Sequence, residues 1–134
     1  MSVGSWNPDL DTKSGTSEID RSWLNKFILW AEHNRLDHIA ELLSETEQKT
    51  LAPLMQKSSE QWLRIAEDYD HQQLLSLIHF FTVAENLPGW KSAEKSPVIP
   101  LARVLRKQGK KLDRQLLLWI REVSDNRFLP YGPL

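Results

Sequence analysis

Apolar side chains recur every three to four residues along most of the chain, which is the spacing of an amphipathic α-helix. No segment alternates apolar and polar residues with the period of two that a half-buried strand requires, and Val, Ile and Thr do not cluster. The sequence therefore predicts an all-α fold: a single compact domain of six to seven short helices. This helical domain would cover residues 17–134, after a flexible N-terminal tail of residues 1–16 that carries Trp6.

Helix-start signals divide the apolar pattern into short segments. A Ser or Asp followed three residues later by Glu or Gln forms a capping box, and this pattern occurs at Ser44, Ser58 and Asp70. Pro53 predicts a break inside its helix, and Gly109 is well placed to end another. The first expected helix begins at Ser17 or Asp20 and ends near residue 34. The others cover about residues 37–43, 44–57, 58–69, 71–85, 96–108 and 113–123.

The most apolar of these helices, residues 71–85, has only a narrow polar stripe that includes His79. A helix of this kind normally packs on several sides, so we expect it at the centre of the fold. Residues 86–96 are predicted to form a linker. Within it, Trp90 lies beside Lys91 and Lys95 and is a candidate contact residue, because tryptophan combines apolar area with a polar edge.

The composition excludes several classes of protein. The chain has 134 residues and no cysteine, which rules out a disulfide scaffold, a thiol nucleophile and a thiolate zinc or iron–sulfur site. No apolar run approaches the ~20 residues of a membrane span, so no membrane association is expected. The first residues lack a basic region followed by an apolar segment, which favours a cytoplasmic protein.

The net charge of −1 conceals a division of charge along the chain. Residues 1–90 carry 7 Lys or Arg and 14 Asp or Glu, whereas residues 91–134 carry 10 and 4. The helical domain therefore has an acidic part (17–85), the linker, and a basic helical pair with an apolar C-terminal tail (97–134). The acidic and basic parts either pack on each other within one chain or pair between two copies in a homodimer.

Six basic residues fall between residues 103 and 114, and four of them are spaced to form one helical stripe opposite Leu101 and Leu105. Such a stripe suits a phosphate backbone, because each neutralised phosphate releases counterions. Stripes of this size are more commonly a solvated face whose Lys and Arg stabilise a helix C-terminus. A recognition helix would begin with polar side chains, whereas the helix that follows is mostly Leu and Trp. The stripe consists of Arg103, Arg106, Lys107 and Lys110.

Two apolar features lie close to this basic segment. Leu118 is predicted to lie away from the buried side of the last helix, between Arg114 and Arg121. Either it is exposed there, which suits an acidic and apolar partner, or a neighbouring element such as the C-terminal tail covers it. The C-terminal tail packs either on its own domain, which we favour, or on another protein. Its apolar residues are Phe128, Leu129, Tyr131 and Leu134, next to Arg127.

Two groups of residues are the candidates for metal or acid–base chemistry. His33, Asp37, His38 and Glu41 have spacings that a single continuous helix would bring together, but a helix boundary is expected near residues 34–35. Glu85 falls on the core-facing side of its helix, where it is expected to reach solvent or pair with Lys91 or Lys95. Neither group matches a known catalytic or metal motif, so no metal and no cofactor are expected.

These patterns predict a non-enzymatic interaction or regulatory protein whose partner is another protein with an acidic and apolar surface. A nucleic-acid-binding protein that uses the same basic stripe is the alternative, and an enzyme or metal protein is the third hypothesis. The expected contact residues are Arg103, Arg106, Lys107, Lys110, Arg114, Leu118, Arg121, Phe128 and Tyr131.

Overall fold

The computed structural model describes residues 19–132, and this part of the chain contains seven α-helices and no strand. The all-α prediction is therefore confirmed. The tail predicted for residues 1–16, with Trp6, lies outside the described residues, as does Leu134. The helices are α1 (Arg21–Glu32), α2 (Ile39–Leu42), α3 (Glu45–Leu51), α4 (Ser59–Ala66), α5 (His71–Ala84), α6 (Val98–Lys107) and α7 (Arg114–Val123), with 3₁₀ segments at Leu36–His38, Ala52–Gln56 and Ala93–Lys95.

The helices begin where the capping residues predict. In the capping box of α3, the Ser44 hydroxyl accepts the Glu47 amide at 3.1 Å, and the Glu47 carboxylate accepts the Ser44 amide at 2.9 Å. Equivalent boxes begin α4 at Ser58 and α5 at Asp70. Each box satisfies two amides that have no partner inside the helix, so short-range chemistry is sufficient to set these boundaries.

Some helix ends differ from the predicted ones by a few residues. α3 stops before Pro53, and the chain continues as a 3₁₀ segment, as the proline predicts. α6 begins at Val98 instead of Ser96, although the Ser96 hydroxyl still accepts the Val98 amide at 3.2 Å. α6 ends at Lys107 and is followed by Gly109, whose φ of +86° is readily adopted only by glycine.

α5 packs against α1, α6 and α7, and α6 also packs against α4. Aromatic rings join α1 and α4 to α5. Phe27 of α1 stacks on Phe80 of α5 with 3.8 Å between ring centroids, and Phe81 meets the edge of Trp62 at 5.2 Å. All four side chains are fully buried, so these contacts contribute both apolar burial and favourable ring geometry.

Trp90 is a core residue, and its predicted role as a contact residue is wrong. Its side chain is fully buried, and the indole Nε1 donates to the Gln48 carbonyl oxygen at 2.9 Å. Residues 86–96 are thus an ordered connection that is anchored to α3. The sequence did not show this, because the partner carbonyl lies 42 residues away along the chain.

Glu85 is also placed differently from the sequence-based expectation. Its carboxylate is buried and accepts hydrogen bonds from the Ser92 hydroxyl at 2.9 Å and from the Asn126 amide at 3.1 and 3.2 Å. The expectation that Glu85 reaches solvent or pairs with Lys91 or Lys95 is therefore wrong, and Lys91 lies 3.7 Å from Asp125 instead. Glu85 therefore joins the end of α5 to the 86–96 connection and to the start of the C-terminal tail.

Candidate interaction surface

The basic side chains of α6 form an exposed face, as the stripe predicts, and the apolar side of the helix is buried. Arg103 and Arg106 are exposed on this face. Lys107 is also exposed, but its Nζ lies 3.5 Å from a Glu67 carboxylate oxygen beside α4. The placement of Lys110 on the same helical stripe is wrong, because α6 ends at Lys107 and Lys110 lies in the exposed turn that follows.

The basic and acidic parts of the same chain meet at the end of α6. Besides the pair between Lys107 and Glu67, the Gln108 side-chain amide donates to the Tyr69 carbonyl oxygen at 2.9 Å. Both charged side chains are more than half exposed, so the ion pair itself adds little stability. These contacts show that a part of the divided charge is paired within one chain.

The C-terminal tail folds back on α6. Leu129 is buried at 5% exposure, and a Cβ atom at Gly132 would lie 3.3 Å from Cγ2 of Ile99. The guanidinium carbon of Arg106 lies 5.2 Å from the centroid of the Tyr131 ring, within the range of a cation–π contact. The tail therefore docks on its own domain, and Tyr131, 38% exposed, stays at the surface.

We call Arg103, Arg106 and Tyr131 the α6–tail patch. Arg103 follows Ile99 by four residues and precedes Arg106 by three, so these residues share one side of the helix. The tail contacts Ile99 and Arg106 at the two ends of this row. The patch therefore presents one guanidinium group over an exposed aromatic ring and a second one exposed on the same side of the helix.

Phe128 packs mainly against the core of its own domain. Its side chain is half-buried against the core, and its backbone amide donates to the Asn126 side-chain oxygen at 3.0 Å. The exposed Arg127 lies over the Phe128 ring, 5.3 Å from its centroid. Phe128 thus anchors the turn that carries Tyr131 and offers only part of its ring to a partner.

α7 carries a separate exposed face. Leu118 is 52% exposed between the exposed Arg114 and Arg121, so of its two predicted alternatives the exposed one is correct. On the other side of α7, Ile120 is fully buried, and Leu116, Leu117 and Trp119 pack against the core while only partly buried. The structure thus brings Arg106 and Tyr131 together, whereas Arg114, Leu118 and Arg121 lie on another helix.

An open groove of about 500 Å³ lies between the end of α1, α5 and the start of α7. In it, the ring of His79 meets that of Trp119 edge to face, 4.9 Å between centroids. Burial lowers the pKa of His79, and the nearby Asp113 carboxylate opposes this effect only in part. The groove is lined by Ala31, Asn34, Leu36, Asp37, Leu75, His79, Lys111, Asp113, Gln115, Leu116 and Trp119.

The sequence placed His79 in a polar stripe but did not reveal the groove. α7 has an apolar side that stays partly exposed, and this is the signal that points to an open apolar surface. The Trp119 ring of that side lies 40 residues away from His79 along the chain. Only the packing of α7 on α5 brings the two rings together.

The four residues at positions 33, 37, 38 and 41 do not share one helix. His33 follows α1, Asp37 lies in a 3₁₀ segment, and the exposed His38 lies 3.6 Å from a Glu41 carboxylate oxygen. Within residues 19–132, no group of three or more His, Cys, Asp or Glu side chains is arranged to hold a metal ion.

None of the helices found between residues 19 and 132 combines the length and apolar character needed to cross a membrane.

Comparison of the chain with known protein families, with curated proteins and with solved structures gives no match. The chemistry of the exposed residues is therefore the basis on which a function is proposed.

Proposed function

We propose that this protein is a non-enzymatic interaction protein that binds an acidic and apolar surface of another protein through the α6–tail patch. The contact between Arg106 and Tyr131 carries this proposal, because it sets a cation beside a partly exposed aromatic ring. Arg and Tyr are among the residues most enriched in the energetic centres of protein interfaces.

Each residue of the patch has a distinct role in the proposal. Arg103 and Arg106 pair with carboxylates of the partner, since a planar guanidinium binds a carboxylate through two parallel hydrogen bonds. Tyr131 supplies the apolar contact. The tail that carries it is already held by Leu129 and Gly132, so little conformational entropy remains to be lost on binding.

The exposed face of α7 extends the proposed contact area. Leu118 is flanked by Arg114 and Arg121, which repeats the combination of an apolar side chain and guanidinium groups. A partner that engages both faces would have to span the turn between α6 and α7.

A charge-reversal experiment tests the proposal. Arg103→Glu with Arg106→Glu removes both guanidinium groups of the patch, and Lys110→Glu with Lys111→Glu makes the same charge change in the neighbouring turn. Proteins captured from a lysate by the wild-type chain are quantified against both variants, with thermal unfolding as a check of the fold. We expect the first variant alone to lose its specific partners. Equal capture by all three proteins contradicts the proposal.

Nucleic-acid binding is the alternative function, and the exposed cations at Arg103, Arg106, Lys110 and Lys111 favour it. Fluorescence anisotropy of labelled duplex DNA and single-stranded RNA, at low and near-physiological salt, separates the two functions. Phosphate binding predicts an affinity that falls steeply with salt and is lost in both charge-reversal variants. We favour a protein partner, because Lys107 is paired with Glu67 and Arg106 lies over Tyr131.

A further inference from the structure

The groove between α1, α5 and α7 combines an apolar floor with two rings. Leu36, Leu75 and Leu116 line it and are all half-buried, so they hold apolar area that is still open to a ligand. The rings of His79 and Trp119 meet at an angle of 62°, which gives the groove two differently oriented walls. Its volume of about 500 Å³ lies within the ~300–1,000 Å³ typical of ligand pockets.

The charges around this floor are predominantly negative. Asp37 and Asp113 line the groove, and Lys111 is the only cation among its described lining residues. Asp113 is held in place because it caps α7, with its Oδ1 accepting the Leu116 amide at 2.7 Å. His79 adds no second cation at neutral pH, because burial lowers its pKa from 6.5.

We propose that this groove binds the aliphatic ammonium group of a lysine side chain presented by a partner peptide. The four-carbon stem would lie on the leucines, and the ammonium would lie near Trp119 and the two carboxylates. An indole face attracts a cation through its ring quadrupole. An anion would meet a net negative charge, because Lys111 offsets only one of the two carboxylates. An uncharged apolar ligand would remove water from the carboxylates without compensation.

This site is distinct from the one in the proposed function. The α6–tail patch offers guanidinium groups to an acidic surface, whereas the groove offers carboxylates to a cation. Neither Arg103 nor Tyr131 lines the groove. The failure of one proposal would therefore not contradict the other.

An NMR titration with n-butylammonium, which reproduces the end of a lysine side chain, tests the groove directly. The readouts are the Trp119 indole N–H and the backbone amides of Gln115 and Leu116 in the full chain. 1-Butanol and butyrate are the matched neutral and anionic probes. We expect saturable shifts at these sites with n-butylammonium alone. Equal shifts with 1-butanol, or no shift with n-butylammonium, overturn the proposal.

Charge-neutral variants test the two carboxylates. Asp37→Asn and Asp113→Asn are each expected to weaken n-butylammonium binding about two- to fivefold, the range for an exposed charge pair. Asn also caps helices well, so Asp113→Asn keeps α7 intact. Lys111→Gln should tighten binding, and Asp125→Asn, which lies outside the groove, should leave it unchanged. Wild-type affinity in both Asp37→Asn and Asp113→Asn contradicts the assigned geometry.

A peptide titration decides whether the group belongs to a partner. The capped peptide acetyl-Ala-Lys-Ala-amide should shift the same resonances at least as strongly as n-butylammonium, and acetyl-Ala-Gln-Ala-amide should not. Binding of n-butylammonium without binding of the lysine peptide overturns the peptide origin of the ligand.

Discussion

At the scale of single residues, polar groups in the interior decide how distant segments meet. Glu85 is 3% exposed, and its carboxylate is satisfied by neutral donors from Ser92 and Asn126. The Asn126 amide also donates to the Ala93 carbonyl oxygen at 2.9 Å. This cluster holds the start of the tail against the 86–96 connection, and so it helps to position Tyr131 in the α6–tail patch.

Removing the buried carboxylate should therefore destabilise the fold. Glu85→Ala leaves the buried Ser92 hydroxyl without its acceptor and leaves the half-buried Asn126 amide with the Ala93 carbonyl alone. An unsatisfied buried group costs about 1–3 kcal/mol. We expect urea unfolding to show a loss of at least about that size. Glu94→Ala is the control, because Glu94 is exposed in the same segment and should change stability by less than about 0.5 kcal/mol. An equal loss in both variants would contradict the role of Glu85.

His79 predicts a pH dependence of stability. Burial lowers its pKa in the folded protein below the unfolded value of about 6.5, so the unfolded chain binds a proton more readily. The stabilising contribution of the neutral imidazole is fully present above pH 6.5, and it is lost as the pH falls from 6.5 through the lower pKa of the folded protein. Urea unfolding at pH 7.5 and 5.5 should show a larger loss of stability for the wild type than for His79→Gln. The same loss in both proteins would rule out this contribution.

At the scale of helices, local capping explains where elements begin, and α7 shows this most clearly. The Asp113 carboxylate accepts the Leu116 amide, and this cap directly follows the turn that leads out of α6. The same carboxylate lines the groove, so one residue both starts the helix and contributes to the proposed site.

The cap and the charge of Asp113 can be separated by substitution. Asp113→Ala should cost about 1 kcal/mol of stability, the usual effect of losing an N-cap side chain. Asp113→Asn should cost much less, because its amide oxygen accepts the same hydrogen bond. Thermal unfolding of the two variants measures the difference. Equal destabilisation would mean that the charge, and not the hydrogen bond, stabilises α7.

At the scale of the whole molecule, the tail completes the domain and also forms part of its proposed contact surface. Leu129 is buried, whereas Tyr131, two residues later, is partly exposed beside Arg106. Stability and binding should therefore depend on different residues of the same short segment.

Alanine substitutions in the tail test this division. Leu129→Ala should destabilise the protein by about 2–5 kcal/mol, the range for a leucine removed from a core. Tyr131→Ala should change stability far less and should weaken capture of the partner. Urea unfolding measures the first effect, and the quantified capture assay measures the second. The proposed role of Tyr131 fails if its substitution leaves capture unchanged.

The sequence alone determined the helical class of the described residues, the capping boxes and the break at Pro53, whereas it left the exposure of Leu118 open. These features depend on residues within one or two helical turns, where spacing and backbone hydrogen bonding are sufficient to decide the outcome. The charge division along the chain was equally visible, but the pair between Lys107 and Glu67 was not.

Only the tertiary structure decided the burial of Trp90, the partners of Glu85, the docking of the tail on α6 and the groove beside α7. Each depends on at least one contact between groups that lie 25 or more residues apart, so no local pattern identifies them. Trp90 and Glu85 illustrate the reason. Their polar atoms needed buried partners, and several partners were compatible with the sequence until the packing of the helices selected one set.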